Sequence, residues 1–425
     1  MKHNYKQIHS MSRREFLKKG AYITAGALGY SYGLRKPISF AYTPGVTGNR
    51  VVWIHDVNAT FWDGITGYYG DYVDQQRVNA MIDRGIKELT GSSNTVSAWQ
   101  QIIPNYSPGK KIGIKVNINN CGSIDYCPNT NIDALPQPVN GIIAGLKSMG
   151  VSESDIYLME PSRVFPVRIG DPIYALYPSV QLWEQNRGDG RTYAHLVSYN
   201  SNDPSLVIYH SHPSISDSRL PDQFLDIAYF INMPIIKGHG ESAGITFTFK
   251  NNFGLFASIT KFHPYTFYLN PDYSYDKNPL HDIYLNPHIK DKTVLIVADA
   301  LFGHRTTNAG PPQFWNTFGG KFPNSFFMST DPVAVDSVMY DFINAESGKP
   351  AASQLYLHRA VELGLGTHEH WNNSTEKEYS VIDFKKIDMD KVTRLDIDRK
   401  VKDFKGGSAT QQDVKDKINE YMETE

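Results

Sequence analysis

The chain has 425 residues, of which 40% are hydrophobic, 20% charged and 12% aromatic, with 33 Gly and 24 Pro; these fractions belong to a globular protein and exclude disordered, collagenous and coiled-coil chains. Its 42 Lys+Arg against 44 Asp+Glu give a formal net charge of -2, without the basic excess that marks a nucleic-acid binder. Two cysteines are too few for a disulfide scaffold or for a four-cysteine iron–sulfur cluster.

The near-neutral balance hides an asymmetry. Residues 1–41 carry eight basic groups and one acid, Glu15; the remaining 34 basic and 43 acidic groups give the body a net charge of −9. Ser12-Arg13-Arg14-Glu15-Phe16-Leu17-Lys18 has the pattern of a twin-arginine export signal, followed by the weakly apolar run Gly20–Leu34 and by Arg35-Lys36-Pro37. Those 15 residues, at a rise of ~1.5 Å each, fall short of a hydrocarbon core of ~30 Å. A signal h-region is expected, not a membrane span, with Ser39-Phe40-Ala41 offering small residues for cleavage. An amphipathic helix on a cytoplasmic protein is the bland reading. Export predicts the twin-arginine machinery as a partner, a periplasmic or extracytoplasmic location, and cargo folded before transport.

Beyond the leader, apolar β-branched runs bounded by turn residues predict strands over 50–57, 111–118, 155–159, 206–209, 227–233, 293–298 and 326–329. Helical periodicity predicts helices over 75–89, 138–149 and 332–343 between them. The near-continuous run Thr293-Val-Leu-Ile-Val-Ala298 reads as a strand buried on both faces. Alternating strands and helices predict an α/β fold, a largely parallel sheet flanked by helices. Residues 160–225 read as an insertion and 262–290 as an aromatic, proline-punctuated loop. The expected organisation is a leader over 1–41, an α/β domain over 42–371 and a charged C-terminal extension over 372–425.

Polar residues sit just past the predicted strand ends, where open α/β sheets bind ligands. They are Lys115 and Asn117; Glu160 and Arg163; Asn232, Lys237 and His239; Asp299; and Asp331. If the strands are parallel neighbours, one crevice gathers a mixed-sign pocket suited to an anion, a divalent metal or both. The segment Lys237–Gly254 is the most chemically dense. Gly238 and Gly240 let backbone N–H groups approach a ligand, while Lys237, His239, Lys250 and Asn251 supply donors and charge. Asp299, Asp336 and Glu160 are the candidate metal ligands.

Each has a bland alternative: Lys115 snorkelling, Glu160 and Asp299 as caps, Asp331 as a helix N-cap before Pro332. Asp336, inside an apolar helix pattern, needs a partner. His55-Asp56, His210-Ser-His212 and His368-Glu-His370 are weaker metal or site candidates. Cys121 and Cys127 stand six apart; in an oxidising compartment a disulfide between them, two free thiols, or half of a metal site all fit. The His-Glu-x-x-His and Gly-x-Gly-x-x-Gly patterns are missing from the sequence, which lowers zincin and dinucleotide readings.

At Lys115-Val-Asn117, Met233-Pro-Ile-Ile-Lys237-Gly-His239, Thr246–Gly254 and Asp331-Pro-Val-Ala-Val-Asp336 the chain resembles the DUF362 family, over roughly 50–345. The resemblance implies an α/β fold and a shared site but no reaction. Some relatives append ferredoxin-like cysteine clusters, and this sequence has none. The expectation is an exported enzyme acting on a small-molecule or glycan ligand that bears carboxylate, phosphate or sulfate. Lys237, Lys250 and His239 would be its catalytic groups, with Lys115, Asn117, Arg163 and Asn251 binding the ligand. The alternatives are a non-catalytic periplasmic metal- or anion-binding maturation factor, and a docking surface built from the aromatic loops.

Overall fold

Near-continuous apolar runs form the central strands of one mixed sheet. The computed structural model describes residues 46, 48–121, 131–185, 191–239, 244–266, 268–349, 351–389, 401 and 404–424, all within the unit Tyr42–Glu425. The leader, Gly240 and Cys127 lie outside the described residues. The strands are β1 (Arg50–His55), β2 (Lys111–Lys115), β3 (Ile156–Glu160), β4 (Gln181–Glu184), β5 (Ala194–Leu196), β6 (Val207–Ile208) and β7 (Ser218–Arg219). They continue with β8 (Ile227–Asn232), β9 (Ile235–Gly238), β10 (Ile245–Thr246), β11 (Thr293–His304), β12 (Ser325–Ser329) and β13 (Asp383–Asp388). The sheet order is β13-β1-β12-β11-β8-β2-β3-β4-β5, with β9 also along β11 and β10 paired to β9. β6 and β7 form a separate ribbon.

From β11 to β5 every neighbouring pair on this path is parallel. β12 is antiparallel to both β11 and β1, and β10 is antiparallel to β9. A parallel neighbour needs a crossover, usually a full helix. Between His304 and Ser325 the chain forms only a one-turn helix at Asn316–Phe318, and it returns alongside β11. Asp331 therefore leaves the sheet at the edge opposite the ends of β2 and β8. Its Oδ1 accepts from Val333 N at 2.8 Å and Ala334 N at 2.9 Å, which makes it the N-cap of helix Pro332–Ser347.

Period-two alternation assigns the two faces. Ile112 and Ile114 pack with helices Gln75–Thr90, Thr95–Ile102, Pro136–Ser148 and Val167–Leu176 on one side. Val51, Met159 and Phe230 pack with helix Pro332–Ser347 and the aromatic segment around Phe247–Phe262 on the other. Helix Gln75–Thr90 starts at Asp74, whose side chain accepts from Gln76 N and Arg77 N, and stops at the left-handed Gly91, as capping chemistry requires.

Two boundaries differ from the sequence reading. Residues 160–225 contribute β4 and β5, which extend the sheet beyond β3. The charged tail also supplies a strand, because β13 pairs parallel with β1 from Arg50↔Asp383 to His55↔Asp388. Arg50 Nε closes that edge on Asp383 Oδ2 at 2.7 Å. Among the described residues, no helix is long and apolar enough to cross a membrane.

Candidate functional site

The parallel strands β2, β3 and β8 end together, and their last side chains build a buried polar cluster. In register, Lys115 stands beside Met159 on one side and Asn232 on the other. Glu160 Oε2 accepts from Lys115 Nζ at 2.8 Å and from Ile118 N at 3.0 Å. Glu160 Oε1 accepts from Ser162 Oγ at 2.8 Å. Lys115 also donates to Val116 O at 2.6 Å. Both charges are buried, Lys115 completely. Burial pulls the Lys115 amine below its ordinary value, and Glu160 opposes that pull.

Asn251, on the one-turn helix Thr248–Asn251, ties these strand ends together. Its Oδ1 accepts from Asn117 Nδ2 at 2.9 Å, and its Nδ2 donates to Asn232 Oδ1 at 2.7 Å. Asn232 Nδ2 in turn donates to Thr248 O at 3.0 Å. The next turn presses down on the ion pair. A Cβ placed on Gly254 would stand 2.4 Å from Glu160 Oε1 and 2.6 Å from Lys115 Nζ. Gly254→Ala is accordingly expected to cost about 1–3 kcal/mol in urea unfolding, as overpacking does; an unchanged midpoint would show that the pair yields freely.

These groups open onto a small cavity whose walls include Lys115, Asn117, Glu160, His239, Thr246, Lys250 and Asn251. Lys237 stands behind this wall, as the cross-strand partner of Thr246. Residues paired in this way put their side chains on the same face. The Lys237 amine is completely buried and has no hydrogen-bond partner among the described residues. The same holds for Thr246 Oγ1 and Asn117 Oδ1 on the cavity wall and for Asn252 Nδ2. Orphaned buried polar atoms are rare in folded proteins; others lie elsewhere in this protein, and these gather at or beside the cavity wall.

The charge balance of this wall is set by burial. Lys237 is pushed down to about 8, chiefly by desolvation, with Asp133 and Glu160 pulling it back up. Lys250 falls well below its ordinary value through desolvation and then the Lys237 charge. His239 is lowered to about 2 by desolvation, then by Lys250 and His263. Burial thus lowers the basicity of both lysines and of the imidazole along this wall.

Other predicted residues go elsewhere. Arg163 donates to Ser162 O at 2.9 Å and Asn119 O at 3.4 Å, and it is not among the cavity-lining residues. Gly238 serves packing, since a Cβ there would meet the Thr306 carbonyl carbon at 2.5 Å. The proposed metal trio does not assemble. Glu160 is held by Lys115. Asp336 accepts from Thr248 N and Tyr356 OH at 3.0 Å each, and Asp299 Oδ1 accepts from Leu301 N at 2.9 Å. Asp299 and Asp336, buried with few donors, are both raised to about 7 by desolvation. Among the described residues no group of three or more His, Cys, Asp or Glu is arranged to hold a metal ion.

The weaker histidine candidates are also engaged apart from the cavity. His55 faces Asp388 at 3.7 Å, and Asp56 faces Arg77 at 3.2 Å. His210 Nε2 meets Ser218 Oγ at 2.7 Å, while His212 packs against Tyr265. His368 Nδ1 meets Ser337 Oγ at 2.7 Å, and His370 Nδ1 meets Asp341 Oδ1 at 2.5 Å. Cys121 is buried, with its sulfur 3.2 Å from Asp133 Oδ2; Cys127 lies outside the described residues.

Sequence reasoning missed Asp133, the foremost opposite charge for Lys237. It is buried in the loop before helix Pro136–Ser148 and accepts from Asn119 N at 2.7 Å and Asn120 N at 3.1 Å. No strand end points to it. The available signal was a lone acid between Ile132 and Ala134.

Residues 191–341 match the family model described as "Domain of unknown function (DUF362)". That span holds Lys237, His239, Lys250 and Asn251 but not Lys115, Asn117, Asp133 or Glu160, and it is narrower than the resemblance read from the motifs. No curated protein matches the chain.

Proposed function

We propose that this is a protein exported through the twin-arginine pathway whose cavity takes a small ligand bearing a carboxylate, phosphate or sulfate, and that it acts on this ligand as an enzyme. One observation carries the reading: the fully buried Lys237 amine has no hydrogen-bond partner among the described residues, beside the orphaned hydroxyl of Thr246. An uncompensated buried cation costs several kcal/mol, and an oxyanion would relieve that cost while accepting from Lys237, Lys250 and the Thr246 hydroxyl. Bound negative charge would also raise the basicity of Lys250 and His239, giving His239 a role as general acid or base. The Lys115–Glu160 pair would hold the strand ends in place without touching chemistry.

A second reading is a holder that binds an anion for another system without turnover. What favours it is the lack of a poised base: Glu160 is committed to Lys115, and His239 is held neutral by burial.

Titration calorimetry with phosphate, sulfate and acetate at several pH values tests the anion site. Lys237 loses its proton as pH rises through about 8, which predicts weakening affinity above that point. Absence of any oxyanion binding, or affinity flat from pH 7 to 10, would end this reading. Bound anion with no chemical change over long incubation would decide for the holder.

A further inference from the structure

The one-turn helix Thr248–Asn251 supplies two residues of the cavity wall, Lys250 and Asn251. A single turn has little stability of its own, and its first N–H groups have no partner inside the helix. Asn251 N closes the turn on Phe247 O at 2.8 Å, and the backbone of Thr248 is held from two sides. Asp336 Oδ1, from helix Pro332–Ser347, accepts from Thr248 N at 3.0 Å. Asn232 Nδ2, from the end of β8, donates to Thr248 O at 3.0 Å. Asp336 is fixed in turn by the Tyr356 hydroxyl of helix Leu355–Glu362, which donates to Oδ2 at 3.0 Å. A fully buried carboxylate in an apolar stretch that includes Val335, Val338 and Met339 is costly without partners. Its bonds with Thr248 and Tyr356 both bear on that turn.

We infer that Asp336 is a positioning residue for the anion site: from a helix that does not line the cavity, its carboxylate sets the turn that brings Lys250 and Asn251 to the wall. This rests on the anion reading above and adds a residue that acts without touching the ligand. The path is short. Lys250 and Asn251 stand two and three residues beyond the clamped Thr248, and Asn251 reaches Asn117 and Asn232 at the strand ends. Loss of the acceptor would leave the buried Thr248 amide without its partner. The turn would then no longer hold its two side chains in one geometry, and a site depends on such support for its fit.

Phosphate, sulfate and acetate are titrated into the full folded chain, and the tightest of the three is carried into the variants. Asp336→Leu, which keeps bulk but offers no acceptor, is expected to weaken binding roughly tenfold, the worth of one strong hydrogen bond. Asp336→Asn retains an oxygen for Thr248 N and should stay within about threefold of wild type. In a Lys250→Met background the Asp336→Leu loss should shrink to less than about threefold, because residues that act as one unit are not additive. A role in general stability alone would leave it at full size. Tyr356→Phe, which removes the donor to Asp336 Oδ2, should weaken binding about threefold and serves if Asp336→Leu does not fold. Three results would each overturn the inference while leaving the anion site standing: wild-type affinity in Asp336→Leu, equal losses in Asp336→Leu and Asp336→Asn, or an undiminished loss in the Lys250→Met background. Where Asp336→Leu does not fold, unchanged affinity in Tyr356→Phe overturns it instead. Failure of the wild type to bind any of the three ions removes the anion reading itself and this one with it.

Discussion

Glu160→Gln is expected to destabilise the protein by about 3–5 kcal/mol, the largest stability loss among substitutions at the cavity. The replacement keeps size and shape but removes the charge that Lys115 faces at 2.8 Å. Lys115 has no exposed surface, which denies it water as a substitute partner. Its other contacts are the Val116 carbonyl at 2.6 Å and a long approach to Asn251 at 3.5 Å, neither of which carries negative charge. The Ile118 and Ser162 donors would also lose an anionic acceptor, and hydrogen bonds to charged groups are the stronger ones. The double variant Lys115→Met/Glu160→Gln removes both charges and should recover much of the loss, because matched removal of a buried pair is often near neutral. Urea unfolding of the two single variants and the double variant measures this directly. A loss below about 1 kcal/mol for Glu160→Gln, the scale of an exposed ion pair, would mean that water reaches this pair.

Legibility in the sequence follows what each residue's neighbours had to be. The central strands announce themselves because both faces are covered: β11 is buried from Leu295 to His304 and reads as an apolar run. The edges do not. β13 is Asp-Phe-Lys-Lys-Ile-Asp, a charged strand of the kind that protects a sheet edge from further pairing, and charge made it look like a solvated tail. β4 and β5 are four and three residues long, below the length at which periodicity is visible. Lys115 and Glu160 were found for a geometric reason, since each ends a parallel strand and neighbouring parallel strands end together. The same rule set Asp331 among the crevice candidates, whereas its reading as the N-cap before Pro332 is the one the structure bears out, because β12 runs antiparallel to β11. Asp299 and Asp336 were read as partners of a metal. Their acid character was legible, but their hydrogen-bond donors, the backbone amides of Leu301 and Thr248 and the distant Tyr356 hydroxyl, are groups that no motif displays. Asp133 was missed because a loop, not a strand end, delivers it.

Lys237→Met is expected to do two opposite things: to stabilise the ligand-free protein by about 1–2 kcal/mol and to weaken oxyanion binding by about 2–5 kcal/mol. A residue kept for packing would move both in the same direction, and this divergence is what marks a binding group. The stabilisation follows from burial: methionine fills nearly the same volume without an ammonium that lacks a hydrogen-bond partner among the described residues. It is moderated by Asp133, which loses its foremost opposing charge. The pH dependence gives a second readout. Burial lowers Lys237 from 10.5 to about 8, and between those values the unfolded chain holds the proton more tightly than the folded one. Stability of the ligand-free protein therefore gains from this group as pH rises from about 8 to 10.5 and carries its full cost below that window. Lys292, lowered to about 8 by its own burial, adds a similar rise, and the informative quantity is the difference between wild type and variant. That difference should be greatest at neutral pH and shrink toward pH 10.5. Oxyanion affinity runs the other way, falling as Lys237 deprotonates. Chemical denaturation across pH, with calorimetry in parallel, measures both curves. A Lys237→Met protein that is less stable at pH 7 and binds oxyanions as well as wild type would identify Lys237 as a structural amine and leave the cavity without its cation.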